Sequence, residues 1–168
     1  MRTSFSTLSN EANDFACVLT DARGNALAQN SGSIPSFIGT LPATVRHFLR
    51  EIGPQRMRPG DVLITNDPWQ GTGHMSDVSL VKPIFHADAL IGYSVALAHM
   101  TDIGGRIPGG NASDSTEIYQ EGLRIPPSRL WREGEPDETM FRLIERNVRV
   151  PDKVLGDIRS LVAACVVG

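Results

Sequence analysis

Two tetrapeptides of this 168-residue chain are near-copies of each other, His74-Met75-Ser76-Asp77 and His99-Met100-Thr101-Asp102. Each sets an imidazole three residues before a carboxylate, in a glycine-bearing stretch. Neutral imidazoles with one or two carboxylates suit a divalent transition metal and leave positions for water or substrate. A single His-x-x-Asp is more often a capping or hydrogen-bonding pair; its repetition beside Gly-rich loops makes a metal site an equal reading. Asn66-Asp67-Pro68-Trp69 lies just upstream. It reads equally as a turn, because Asn and Asp bond back to local amides, and as a device that orients a substrate carbonyl. Gly104-Gly105 and Gly109-Gly110 fit neither the phosphate-cradling nor the dinucleotide-binding spacing. Glu117 and Glu121 are acid/base candidates if their loop folds over the metal, and solvated charges otherwise. His47 and His86 read as surface or structural histidines.

These groups need elements to hold them. Residues 14–30 predict a hairpin that turns around Asp21 to Asn25, where Gly24 and Asn25 tolerate positive φ. Residues 31–39 predict a loop. Val45, Phe48, Leu49 and Ile52 then mark one face of a helix over about 40–52, with Thr40 as its cap and Gly53-Pro54 as its stop. Asp61–Thr65 predicts a short strand, and Val78–Phe85 with Leu90–Ala98 predict an antiparallel pair. If those two strands are neighbours, both His-x-x-Asp motifs fall at the same end of the sheet. Asp102 to Pro127 predicts a long irregular segment of the kind that forms lids and binding loops. Asp137 opens a helix through Met140, Phe141, Ile144 and Val148, and Pro151 starts another with Val154, Leu155, Ile158, Leu161, Val162 and Cys165 on one face. That second helix runs uncapped to Gly168, which points to a packing partner elsewhere. The expected fold class is α+β: an antiparallel, strand-rich core with a helix near 40–52 and helices toward the C-terminus.

Composition narrows the function classes. About 40% apolar residues in a chain of this length allow one domain, residues 1–168, to bury roughly two-thirds of its unfolded surface. Lys and Arg number 16 against 19 Asp and Glu, a net charge of -3, so nothing draws the chain to nucleic acid or to anionic membrane. Cys17 and Cys165 fit no metal or disulfide spacing and read as reduced, buried thiols of a cytoplasmic protein. No apolar stretch approaches the ~20 residues of a membrane span, and Met1-Arg2-Thr3 is not followed by a signal-peptide core. The chain has 16 Gly and 11 Pro, and much of that excess lies beside the two motifs.

Taken in order, Asn66-Asp67-Pro68, Gly71-Thr72-Gly73-His74-x-x-Asp77, Ala98-His99-x-x-Asp102-Ile103-Gly104-Gly105 and Glu117-Ile118-Tyr119-Gln120-Glu121-Gly122-Leu123-x-Ile125-Pro126-Pro127 resemble the hydantoinase B/oxoprolinase family. Asp14-Phe15-Ala16-Cys17 and Ile34-Pro35 with Gly39 look like further landmarks of it. The resemblance implies an ATP-coupled system in which a hydantoinase A-type partner subunit uses ATP on a cyclic amide or ketone and the B-type subunit completes ring opening or carboxylation. It implies a divalent metal, Mn, Fe or Zn, on His74, Asp77 and His99. Asp102 would be a fourth ligand or an orienter of His99, with Glu121 and Asp67 as the other catalytic candidates. Hydrolysis of a cyclic amide leads. Ketone carboxylation, and an inert piece that only binds the A-type partner, stand beside it. The sequence departs from the family in carrying Phe37 where a His is common. Family members are also several-fold longer, so the chain resembles the N-terminal region of a B-like subunit, entered at Met1 to Ser6.

Overall fold

The computed structural model describes residues 14–32, 34–71, 73–109 and 112–167. The expectations that fall on Met1 to Ser6, Thr72, Gly110 and Gly168 lie outside them. The described chain is α+β: a seven-stranded, wholly antiparallel sheet with helices on both faces.

In chain order the elements are β1 (Phe15–Asp21), β2 (Ala26–Gln29), α1 (Pro35–Glu51), β3 (Val62–Thr65), β4 (Asp77–His86), β5 (Ala89–His99), β6 (Ser128–Arg132), β7 (Glu135–Pro136), α2 (Glu138–Asn147) and α3 (Pro151–Val167). The strands lie in the order β2-β1-β5-β4-β3-β6-β7. The centre of the sheet is covered on both sides, which explains why β3 and β5 read as apolar runs rather than as a polar/apolar alternation. The alternation is nevertheless present as a choice of face. Leu63, Val81, Val95 and Leu97 pack with Leu41, Val45 and Phe48 of α1. Val62, Ile64, Leu80, Ala96 and Ala98 pack with Ile144 of α2 and Val154, Ile158 and Leu161 of α3.

Most predicted elements are found near their predicted places, and two are not. The first helix begins at Pro35, five residues before Thr40, so the second half of the predicted 31–39 loop is helical. Pro35 suits the first helical position because its φ is already set and no intrahelical N–H bond is needed there. Thr40 is not a cap: its hydroxyl donates back to the carbonyls of Ser36 (3.3 Å) and Phe37 (3.1 Å), as a helix-interior Thr does. The second difference is the β6–β7 ribbon over residues 128–136, which gave no strand signal; β6 is recruited by pairing with β3. Asp137 does open α2, its side chain accepting the Met140 N–H at 3.0 Å. Cys17 is only half-buried, whereas Cys165 is buried and its burial pushes the thiol up to about 12. No helix among the described residues is long and apolar enough to cross a membrane.

Candidate metal centre

β4 begins, and β5 ends, at the same end of the sheet. In that antiparallel register Asp77 stands directly opposite His99. Residues paired across antiparallel strands project from the same face, and the Asp77 Oδ1 lies 2.9 Å from His99 Nδ1. β1 extends the row on the other side: Phe15 pairs with Ala98, and the His99 N–H donates to the Asp14 carbonyl at 3.1 Å. Asp14, His99 and Asp77 therefore form one line across three strand ends. His74 comes to this line from the turn before β4, held by the Asp77 N–H donating to the His74 carbonyl at 3.2 Å.

His74, Asp77 and His99 form a cluster whose ligand atoms all lie within 4.8 Å of one another. The two rings face each other with centroids 4.9 Å apart, tilted by 31°. His74 Nε2 is buried with no hydrogen-bond partner among the described residues. An orphaned imidazole nitrogen beside a second imidazole and a carboxylate is costly unless something binds it. A divalent cation with borderline N/O preference meets that need, so the residues present fit the metal. Asp77's hydrogen bond raises the pKa of His99 above the usual imidazole range, against the opposing effect of burial. Asp14 belongs to the same pocket of charge: its Oδ2 lies 4.0 Å from His99 Nδ1, its Oδ1 is buried without a partner among the described residues, and burial raises its carboxyl pKa. In the sequence Asp14 stands out only as part of the Asp14-Phe15-Ala16-Cys17 landmark, with nothing local that ties it to His99. The signal that finds it is the β1–β5 pairing, which is a property of the fold.

The remaining candidates are placed as follows. Glu121 sits beside the cluster, its Oε2 at 3.9 Å from His74 Nδ1. It is brought there by a seam of backbone against backbone. Leu123 N–H donates to the Ile103 carbonyl (2.8 Å) and Arg106 N–H to the Gln120 carbonyl (2.9 Å). A Cβ on Gly105 would strike the carbonyls of Glu121 and Gln120, and one on Gly122 would strike Ile103. Both glycines also have positive φ, +80° and +141°. The glycine-rich segment thus serves close packing and the delivery of Glu121.

Asp102 points to a different partner from His99. Its carboxylate accepts from the Arg149 N–H (2.6 Å), the Arg149 guanidinium (2.8 Å) and the Gly104 N–H (3.3 Å). Arg149 also donates to the carbonyls of Gly104 and Gly105, so a residue in the link between α2 and α3 clamps the loop that follows His99. Asp67, buried at the end of β3, accepts from Trp69 N–H (3.1 Å) and from Arg124 Nε (2.9 Å). Asn66 is committed to backbone on three sides, donating to the carbonyls of Met75 and Leu123 and accepting from Ile125 N–H. Glu117 lines a cleft with Glu121. His47 lies on α1 within reach of Arg50, and His86 ends β4 far from the cluster. Phe37 is buried in the core beneath α1.

Residues 1–168 match the hydantoinase B/oxoprolinase profile from end to end. The caprolactamase subunit beta of Pseudomonas jessenii is 35% identical over 167 residues, which cover 99% of this chain and 28% of that protein. The crystal structure of that organism's ATP-dependent caprolactamase superposes with a TM-score of 0.85 at 34% identity, covering 92% of this chain and 26% of the matched one. The 5-oxoprolinase of Saccharomyces cerevisiae is 37% identical over 144 residues, 84% of this chain and 11% of its own length. A nucleotide-free acetone carboxylase shares the fold, with a TM-score of 0.89 at 22% identity over 98% of this chain and 22% of its own. The chain spans under a third of the length of these relatives. With the match running through every residue, the chain belongs to the hydantoinase B/oxoprolinase family.

Proposed function

We propose that this chain is the metal-holding section of a B-type subunit that opens a cyclic amide, in concert with an A-type partner subunit that uses ATP. The observation that carries the reading is the convergence of His74, Asp77 and His99 around a buried His74 Nε2 that has no partner among the described residues. Those three residues, with Asp14 beside them, would hold Mn, Fe or Zn, and the ion when bound supplies Lewis-acid polarisation of a carbonyl oxygen or an acidified water. The rest of the task falls to the chain's own groups. Asp77 fixes the His99 ring through Nδ1. Glu121, facing His74 Nδ1, favours the tautomer that carries its proton there and leaves the Nε2 lone pair free. Glu121, which lines the cleft beside the cluster, also takes or returns a proton at the substrate nitrogen. Asp102 and Asp67 act through others: Asp102 holds the loop through Arg149, and Asp67 holds Arg124 and Trp69.

The test is elemental analysis of the purified chain, stripped with chelator and reloaded, followed by assay with an A-type subunit and ATP. Stoichiometric divalent metal is expected in the parent chain, and at least a ~100-fold loss of metal affinity in His74→Ala and in His99→Ala. Cyclic-amide opening disappears with the metal. A chain that retains no stoichiometric metal, or whose two histidine variants behave as the parent, overturns the reading. Turnover of a ketone with bicarbonate instead of the amide replaces hydrolysis by carboxylation.

A further inference from the structure

The far end of the sheet carries a second concentration of charge. Thr65, which ends β3, pairs with Ser79, two residues from Asp77; Asp61, just before β3, therefore lies at the end away from the metal cluster. A cleft of about 290 Å³ opens there, lined by Arg56, Arg58, Asp61, Arg129, Arg132 and Glu133. Four guanidinium groups against two carboxylates leave it positive on a chain whose net charge is -3. Cations gathered in this way repel one another, and a buried carboxylate holds them together. Asp61, 1% exposed, accepts from the Arg58 N–H (3.1 Å), the Glu133 N–H (3.0 Å) and Arg129 Nε (3.3 Å), which ties the link between α1 and β3 to β6 and to the turn after it. Gly60 closes the same seam: its carbonyl accepts the Gly134 N–H at 3.1 Å, and a Cβ on it would strike the Gly134 backbone.

These guanidinium groups are positioned without being satisfied. Arg58 donates to the Gln55 and Met57 carbonyls through Nη1 alone, and Arg129 places Nε on Asp61 and Nη2 on the Arg56 carbonyl. Arg58 Nη2 and Arg129 Nη1 are left without a partner among the described residues, where neither Arg56 nor Arg58 has a carboxylate within ion-pair distance. Donors fixed in advance and still unmatched lose little freedom when an anion arrives. We infer that this cleft is a binding site for a phosphoryl anion, inorganic phosphate or diphosphate, remote from the metal cluster and independent of it. All four cations are arginines, whose planar forks match the oxygens of a tetrahedral anion in pairs. The volume lies just below the range of drug-sized sites and suits one or two phosphoryl groups better than a length of acidic peptide. No aromatic side chain lines the cleft among the described residues, so a nucleotide engages it through its phosphates alone. Glu133 opposes the ligand, whereas the charge of Asp61 is already met by its three donors.

The experiment is calorimetric titration of the full chain in low-salt, phosphate-free buffer, after chelator treatment so that no metal competes for phosphate. The probes are phosphate, diphosphate, ATP, acetate and a glutamate-rich peptide. One-to-one binding of diphosphate with a Kd of about 1 mM or tighter is expected, with acetate at least about tenfold weaker. Arg56→Ala combined with Arg58→Ala should weaken diphosphate by at least about tenfold with an unchanged circular dichroism spectrum. Arg58→Lys keeps the charge without the fork, and should weaken diphosphate by at least about threefold. ATP binding within about threefold of diphosphate supports a site that reads phosphate alone, and ATP at least about tenfold tighter keeps the site and makes a nucleotide the source of its phosphate. Absence of saturable binding, equal affinity for acetate, or undiminished binding in the double variant overturns the inference. A glutamate-rich peptide that binds more tightly than diphosphate also overturns it, and assigns the arginines to a protein partner.

Discussion

Arg149 shows how far a side chain outside the cluster governs the site. One guanidinium and its own amide satisfy a carboxylate that is only 3% exposed, while the same guanidinium grips the carbonyls of Gly104 and Gly105. Arg149→Ala leaves Asp102 buried with backbone donors alone, and should lower unfolding free energy by about 2–3 kcal/mol in urea titration. Arg149→Lys should recover less than half of that loss, because a single ammonium does not reach the acceptors the planar fork reaches. At this scale the sequence was partly readable. His74, Asp77 and His99 were visible because two copies of a short motif carry them. Asp14 and Arg149 were not, since each joins its partner across a strand pairing or a helix junction that no local pattern announces. Asp102 looked like a site residue for the same local reason, although its bonds run to Arg149.

α2 is the element whose design was plainest in the chain. Asp137 closes its N-terminus, and the bond from the Met140 N–H, assisted by Arg132, holds the Asp137 carboxyl below the usual carboxylate range. Asp137→Ala should cost about 1 kcal/mol and lower Tm by roughly 2–4 °C at neutral pH. A carboxylate whose pKa falls on folding adds stability above its unfolded pKa and loses it as pH drops through the folded value. The difference in Tm between parent and variant should therefore shrink toward zero in acid; a gap that persists at pH 2 would show the cap to be structural rather than ionic. Asp137 and Pro151 were legible because capping is local chemistry. The start of α1 and the β6–β7 ribbon were hidden, the first because a Ser- and Gly-rich stretch masks the helical start at Pro35, the second because β6 gains strand character from β3.

For the whole molecule, the cluster ties the ends of β4 and β5 to the turn before β4, with the start of β1 alongside. A ligand that binds only this folded arrangement stabilises all of it by mass action, by about 2.7 kcal/mol at roughly 100-fold excess over Kd. Added divalent metal should raise Tm by roughly 5–11 °C, and chelator should reverse the shift. His74→Ala should give no shift, and a shift that survives in that variant places the ion elsewhere. Apolar groups that stay exposed, Leu27 on β2, Ile91 on β5 and Val166 with Val167 at the end of α3, sit on a chain that covers under a third of its relatives' length.

The β4–β5 hairpin sets an order in time. Asp77 and His99 are only 22 positions apart and meet by the zipping of one hairpin, an event of about 1–10 μs, whereas Asp14 must arrive through a pairing with far greater sequence separation. Two of the three clustered residues, Asp77 and His99, are thus brought together before the sheet is complete. If the proposed ion binds, adding it during refolding should therefore speed formation of the β4–β5 pairing relative to the outer strands, because Asp77 and His99 are brought together by that hairpin alone.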